Sequence, residues 1–452
     1  MGAVLAGCAT VPAPPVQVPV PAAWRDGLGG GAAPDKDWFS RLGSTVLDDL
    51  IREALAASPD LETAEARVRQ ADARLRAAGA PLLPTASAAA SLNRITGSSG
   101  GESARETDRG LQFAASYEVD FWGAARAARE AARAERRATV ADADLLRLSL
   151  EASIAQTYIT LLELRARQVS AQRQLELLTE GVAALDARAV AGLVSVVELS
   201  VYRSSLASVR SSTASLRQQE IEASAALALL VGRNAPVLLP PEPQLHALAV
   251  PPPAGATPSE VLIRRPDIAA AEAALAAADA NVIVARSALL PRLTLDAVLA
   301  RQNPGFQAAL TTLPGSGTSL SLGAALLQTL FDGGRAQAQR AETLARREEL
   351  VAAYRKAIGA ALVDVQRALE IEQQAARQQT DANLAQAAAQ ASEQALRARN
   401  AAGLGDPLVA IEAERARLVA QDESDHAHAV LMLASIDLFK ALGGGWMNGN
   451  TR

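Results

Sequence analysis

Between Leu111 and Ala235 the chain has no proline, and within that stretch the spacing of its apolar residues changes once. Leu111, Phe113, Ala115, Tyr117, Val119 and Phe121 alternate with Gln112, Ser116, Glu118 and Asp120, the pattern of a strand with one apolar face. After Gly123 the composition turns to Ala, Arg, Glu and Leu, all strong helix formers. Leu150, Ile154, Thr157, Leu161, Leu164, Gln168, Ala171, Leu175, Leu178, Val182, Leu185 and Ala189 then keep a four-three spacing. Held for so long, that spacing predicts a coiled-coil seam. A helix from Gly123 to Ala189 has 67 residues and would reach roughly 100 Å at about 1.5 Å per residue. A single globular core has no use for such a rod, so its partners must be other long helices.

The pattern occurs twice. Pro59 to Pro84 aligns without gaps to Pro266 to Pro291 at a shift of 207, with 12 of 26 positions identical. Pro59/Pro266, Asp60/Asp267, Glu65/Glu272, Asp72/Asp279 and Leu83-Pro84/Leu290-Pro291 are among them. In the first copy, helix signals run from Trp38-Phe39 through Leu47, Leu50, Ile51 and Leu55, and Pro59 opens a second helix. A weak strand (Thr85 to Ile95) and a polar, glycine-rich loop (Gly97 to Gly110) precede the strand of the opening. Gly192 is the expected left-handed end of the long helix. Ser195 and Glu198 predict a capping box for a return helix that reaches Gly232. In the second copy, alternation at Leu293, Leu295, Ala297 and Leu299 and again at Leu320, Leu322, Ala324 and Leu326 gives two strands. Phe331-Asp332-Gly333-Gly334 stands where Phe121-Trp122-Gly123 stood. Gly403 repeats Gly192, Arg399 repeats Arg188, and Asp406 caps a return helix with Pro407 at its first position. Such self-similarity outweighs any single motif.

The sequence therefore divides into a start (residues 1–8), a Pro/Gly-rich tether (9–37), a first repeat (38–232), a proline-rich connector (233–257), a second repeat (258–446) and a short tail (447–452). Leu5-Ala6-Gly7-Cys8 follows the pattern of a bacterial lipoprotein cleavage site, which predicts a lipid on Cys8 and an extended tether behind it. Net charge is -5, unlike the basic face of a nucleic-acid binder. With one cysteine, no disulfide can close within the chain and no Cys-based metal site forms. The histidines are His246, His426 and His428; the last two diverge on a helix, so no metal site is expected. Phosphate loops, nucleophile elbows and zinc-protease motifs are missing from the sequence, so the expectation is a non-enzyme with no cofactor beyond the lipid.

Strands of about ten residues can cross a bilayer when tilted. Four strands per chain cannot close a barrel, and an open sheet edge in lipid is prohibitive. Several chains must pool their strands, and the helical hairpins then pack into a second cylinder.

At this point the chain resembles the TolC/OprM outer-membrane efflux channels, in particular the NodT-type lipoproteins. The resemblance rests on Leu5-Ala6-Gly7-Cys8, Ser116 through Gly123, Pro258-Ser259 through Arg264-Arg265-Pro266-Asp267-Ile268, Leu290-Pro291, Leu330 through Gly334, two Ala-Gly-Leu turns, and Ala441 through Trp446. It implies a mostly α homotrimer with a 12-stranded outer-membrane β-barrel, four strands from each chain, continued by a periplasmic α-helical barrel. It also implies an acylated lipoprotein in outer-membrane lipid, a periplasmic adaptor protein and an inner-membrane RND pump as partners, and export of drugs or other small toxic compounds. In such channels the hairpin tips open and close the duct. The residues here that match are Arg188, Glu198, Arg399, Asp406 and Glu412, with Asp406 and Glu412 expected to form or flank a carboxylate ring in threefold symmetry. Gly192, Leu193, Val194, Gly403 and Leu404 are the expected adaptor contact. The departure is Ala124-Ala125 before Arg126, where the family often has arginine directly after the glycine. Type I protein secretion is an alternative cargo route. A soluble coiled-coil scaffold would explain the helices but not the paired strands.

Overall fold

The computed structural model describes residues 18–25, 34–35, 37–99, 102–240, 244–251, 255–302 and 318–446. Cys8, most of the tether and part of the connector lie outside them. The elements, in chain order, are α1 (Thr45–Ala57), α2 (Pro59–Gly79), β1 (Thr85–Ser99), β2 (Glu102–Val119), α3 (Ala124–Val190) and α4 (Val196–Val231), followed by α5 (Pro258–Arg264), α6 (Pro266–Ser287), β3 (Arg292–Gln302), β4 (Thr318–Leu327), α7 (Arg335–Ala401) and α8 (Pro407–Ala441). Both long helices have 67 residues. The chain divides into a strand unit, Arg67–Val140 with Ala270–Arg355, and a helical unit, Val18–Ala66 with Ala141–Ala269 and Lys356–Arg452.

In the strand unit, the four strands form one antiparallel sheet in the order β1-β2-β3-β4. Register explains the alternation. Ala88 lies opposite Phe113, Phe113 opposite Leu299, and Leu299 opposite Leu320. Ala86, Ala115, Ala297 and Leu322 line up in the same way. Residues directly opposite share a face, so this face is apolar from edge to edge. The other face carries Ser87, Ala114, Val298 and Ser321, then Thr85, Ser116, Asp296 and Gly323. Phe113, Leu295, Leu299, Leu320, Leu322 and Leu326 are all exposed in the single chain.

One expectation is corrected here. The segment Gly97 to Gly110, read as a loop, is largely ladder: β1 and β2 stay paired to Ser99↔Glu102. A ladder needs only backbone donors and acceptors, so polar side chains do not stop a hairpin whose return is two residues long.

The sheet leads into the helices through two caps that reuse the same chemistry with the residues exchanged. Asp120 accepts from the N–H groups of Ala125 and Arg126 at 3.0 and 3.1 Å. Asp332 accepts from Gly334 and Ala336 at 3.0 and 2.9 Å. The indole of Trp122 donates to Pro291 O at 2.6 Å and ties the repeats together. The identical pair Asp72/Asp279 has a reason too. Asp72 pairs with Arg136 and Asp279 with Arg347, an ion pair kept in both copies. Helix α6 is long and apolar enough to cross a membrane by length and composition alone; the ion pair of Asp279 with Arg347 ties it to α7.

The core of the helical unit gathers Trp38, Leu42, Leu47 and Ile51 with Ile154, Tyr158, Leu227, Leu245, Val261, Met432 and Phe439. The predicted helix from Trp38 to Leu55 is interrupted. A 3-10 turn over Trp38–Leu42 ends at Gly43 (φ 73°), and Ser44 then caps α1 by accepting from Leu47 N–H. Of the twelve predicted seam residues on α3, none is exposed. Connector residues Leu245 and Leu248 are buried in this core.

His426 and His428 stand on α8, and His246 of the connector reaches the same helix. His246 hydrogen-bonds Asp425, which also accepts from Gln421 at 2.8 Å. The rings of His246 and His428 lie 5.2 Å apart, and His428 Nδ1 contacts Gln379 of α7 at 2.6 Å. His426 turns the other way, to Glu163 of α3 at 2.8 Å.

The Asp425 bond pushes His246 above its ordinary value of 6.5, against burial. Burial, then the His246 charge, push His428 below it. The stabilisation from His246 is complete below pH 6.5 and fades as pH rises through its raised value; that from His428 is present above 6.5 and fades as pH falls through its lowered value. Together these two histidines therefore favour the fold most near their shared ordinary value. Melting temperature against pH checks this: His246→Gln should flatten the alkaline limb and His428→Gln the acid limb.

Candidate functional site: the helical hairpin tips

The two tips are built alike because their sequences demand it. Gly192 and Gly403 sit at φ 72° and 73°, where a Cβ would be strained. Gly192 N–H reaches Ala189 O at 3.0 Å and Leu193 N–H reaches Arg188 O at 2.9 Å; Gly403 N–H reaches Asn400 O at 2.9 Å and Leu404 N–H reaches Arg399 O at 3.0 Å. This is the same Schellman ending twice. It leaves Leu193 and Leu404 exposed, at 76% and 72%. Val194 instead packs against Leu185, Leu199 and Leu408 in a small cluster of α3, α4 and α8.

The return helices are capped differently. Ser195 accepts from Glu198 N–H at 3.2 Å. The reciprocal half of the expected capping box does not form, so the Glu198 carboxylate makes no hydrogen bond among the described residues. Asp406 accepts from Leu408 N–H at 3.0 Å, and it also takes both arms of Arg188, at 2.9 and 3.1 Å. The Arg188 bonds, then the Leu408 N–H, hold the Asp406 carboxyl below the usual carboxylate value. Asp406, one of the two residues expected to form or flank a carboxylate ring, thus has its charge balanced by Arg188 within the chain. Glu412 is also paired, with Arg415 at 2.9 Å. Arg399 has no side-chain partner among the described residues.

Sequence reasoning missed Arg415 and Tyr202. Arg415 follows Glu412 by three residues, a helical ion-pair spacing that was there to be read. Tyr202 is pushed above its ordinary value by burial and then by Glu412, and no local pattern would have found it. Deeper in the helices, Arg173 of α3 and Arg397 of α7 both grip the buried Glu414 of α8 at 2.8 Å. That clamp fixes the order of the helices just behind the tips.

Removing the Asp406 cap should loosen the first turn of α8. Asp406→Ala costs about 1 kcal/mol there, and amide exchange at Leu408 should speed up roughly fivefold. Unchanged exchange would show that the cap is redundant.

With this geometry in view, the relatives are informative. The sequence pattern of the outer membrane efflux protein family matches residues 50–233 and 257–444. The chain is similar to the pyoverdine export outer membrane protein OpmQ of Pseudomonas aeruginosa, 37% identical, over 98% of this chain and 95% of that one. It is 29% identical to outer membrane protein OprJ of the same organism, over 93% of this chain and 89% of that one. In structure it is similar to the open-state MtrE outer membrane channel of Neisseria gonorrhoeae, with a TM-score of 0.83, 26% identity, and coverage of 96% and 97%. The twofold ribbon of strands and the twofold hairpin of helices are those of an outer-membrane efflux channel, and the chain belongs to the outer membrane efflux protein family.

Proposed function

We propose that three copies pool their strands into a 12-stranded barrel, and that the chain is the passive exit duct of an RND-type tripartite pump. The sheet's apolar face carries the assembly reading. It is uncovered in the single chain, its edges β1 and β4 are open, and lipid on one side with a lumen on the other satisfies both. Cys8 carries a lipid that holds the chain in the outer membrane. Leu193 and Leu404, exposed at the tips outside the small apolar cluster there, contact the periplasmic adaptor, and Gly192, Val194 and Gly403 shape those tips. Asp406, Glu412, Arg188, Glu198 and Arg399 surround the constriction.

The relatives' names cover pyoverdine, cations and antibiotics, so one duct architecture serves many cargoes. We assign this chain small toxic compounds or drugs, with selection made by the pump.

The test is export in cells that keep their pump and adaptor but lack their own channel. Expression of this chain should restore efflux of a fluorescent pump substrate. Dye retention equal to that of empty-vector cells would overturn the reading. For the constriction, Asp406→Asn with Glu412→Gln should lower cation preference in planar bilayers; unchanged ion selectivity would remove both residues from the constriction.

A further inference from the structure

The two repeats differ in charge where the helices meet the strands. Residues 67–79 of α2 and 124–137 of α3 hold nine arginines and three carboxylates, Asp72, Glu130 and Glu135, in a chain of net charge -5. The fold does not require this. At the shift of 207, α6 puts Ala274, Ala276, Asn281 and Ile283 where α2 has Arg67, Arg69, Arg74 and Arg76. Both helices lead into a strand of the same sheet.

On α3, Arg126, Arg129, Arg133 and Arg137 are spaced three, four and four apart, so they share one face, and all four are exposed. Carboxylates cover part of it. Arg126 pairs with Asp120 at 2.9 Å, and Arg133 and Arg137 divide Glu130 at 3.0 and 3.4 Å. Arg129 has no ion pair among the described residues. Its side chain lies along the end of α2, where a Cβ on Gly79 would stand 3.6 Å from its Cδ and Nε. Asp72, Arg76 and Gly79 follow at four-three spacing and so share a face of α2. Asp72 meets Arg136 of α3, and Gly79 meets Arg129. Arg76 therefore stands at the margin of the α2–α3 contact, exposed and also without an ion pair among the described residues. Like charges on neighbouring helix faces repel, and an anion from outside the chain relieves that repulsion.

We infer that Arg76 and Arg129, flanked by Arg126 and Arg133, hold the phosphate of an anionic glycerophospholipid in the periplasmic leaflet of the outer membrane. The proposal rests on the barrel reading above. Position supports it. Arg126 follows the end of β2 by seven residues, and Arg76 precedes the start of β1 by nine. At about 1.5 Å per residue, Arg126 to Arg133 covers roughly 10 Å of helix beside strands that cross the lipid. The headgroup layer is about 5–7 Å deep on each side of the hydrocarbon, so these arginines stand at its edge. Chemistry supports it too. The guanidinium fork matches the oxygens of a phosphate. A membrane also concentrates that phosphate where the arginines are, and basic clusters next to a spanning segment attract anionic lipid for this reason.

Native mass spectrometry of the full-length protein in detergent, titrated with phosphatidylglycerol, tests this. Phosphatidylglycerol should bind more tightly than phosphatidylcholine with the same acyl chains, and added salt should narrow the gap. Arg76→Gln with Arg129→Gln should weaken phosphatidylglycerol binding about thirtyfold, at about fivefold for each arginine near an anionic surface, and leave phosphatidylcholine binding as it was. Arg210→Gln with Arg217→Gln on α4 should change neither. A double variant at Arg76 and Arg129 that is still a trimer and still prefers phosphatidylglycerol overturns the proposal. Loss of the preference when inorganic phosphate is added at equal concentration would reassign the arginines to a free anion and overturn the lipid. A wild-type particle that is not a trimer overturns the barrel reading, and this proposal with it.

Discussion

Gly443→Val should leave almost no assembled protein in the membrane. Gly443 has φ 90°, and a Cβ there would lie 2.1 Å from the backbone oxygen of Arg264 and 2.9 Å from its carbon. A side chain can rotate away from a neighbour; a carbonyl held at both ends cannot. The Arg264 end is held firmly, because Arg265 takes Asp267 at 2.7 and 3.0 Å and donates to Ala441 O at 3.0 Å. Left-handed strain and overpacking against fixed backbone together should exceed about 4 kcal/mol, the range reserved for such mechanisms. Alanine should fail almost as badly. Gly192→Ala is the contrast: its φ is similar, but a Cβ would meet nothing within 4 Å, so only the conformational cost of about 1 kcal/mol remains. Membrane yield and melting temperature of the three variants separate these cases. A Gly443→Ala protein with the yield of Gly192→Ala would mean that the end of α5 at Arg264 can move.

Trp38→Ala should be nearly as damaging, for a different reason. Trp38 is fully buried, stacked on Phe439 with ring centroids 5.3 Å apart and planes at 17°, and edge-on to Phe39 at 6.1 Å. It fastens the N-terminal segment to the last helix. Its truncation should cost about 3–5 kcal/mol through lost burial and the cavity left behind. Trp38→Phe should cost far less, under about 1.5 kcal/mol. Phenylalanine keeps the stack and removes an indole N–H that has no acceptor among the described residues. If alanine and phenylalanine destabilise equally in thermal unfolding, the stack is not what holds this segment.

The sequence made the local structure legible and the cross-chain chemistry obscure. The α3 seam could be read because heptad spacing is a property of one helix, and none of the positions named is exposed. The tips could be read because Gly192 and Gly403 are glycines for a backbone reason. The Arg188–Asp406 bond could not be read: its residues lie 218 apart, and each alone has a sufficient local explanation as a helix-end charge or a cap. The half-formed box at Ser195 is the opposite case, a motif correct in letters whose glutamate side chain does not turn back. The polar part of β1 and β2 carries no side-chain alternation to mark it as a strand, because pairing of backbone groups alone is enough. His246 and Asp425 were likewise invisible, since one stands on an irregular connector and the other on a helix 179 residues away.

The length of the first hairpin has a practical outcome on living cells. β1 has 15 residues and β2 has 18, and they stay paired to Ser99↔Glu102. A tilted strand of about ten residues already crosses a bilayer. The far ends of β1 and β2 therefore stand clear of the lipid, on the side away from the helix that follows β2. An epitope spliced between Ser99 and Glu102 should therefore be reached by antibody on intact bacteria, whereas one placed at Leu193 should stain only after the envelope is breached.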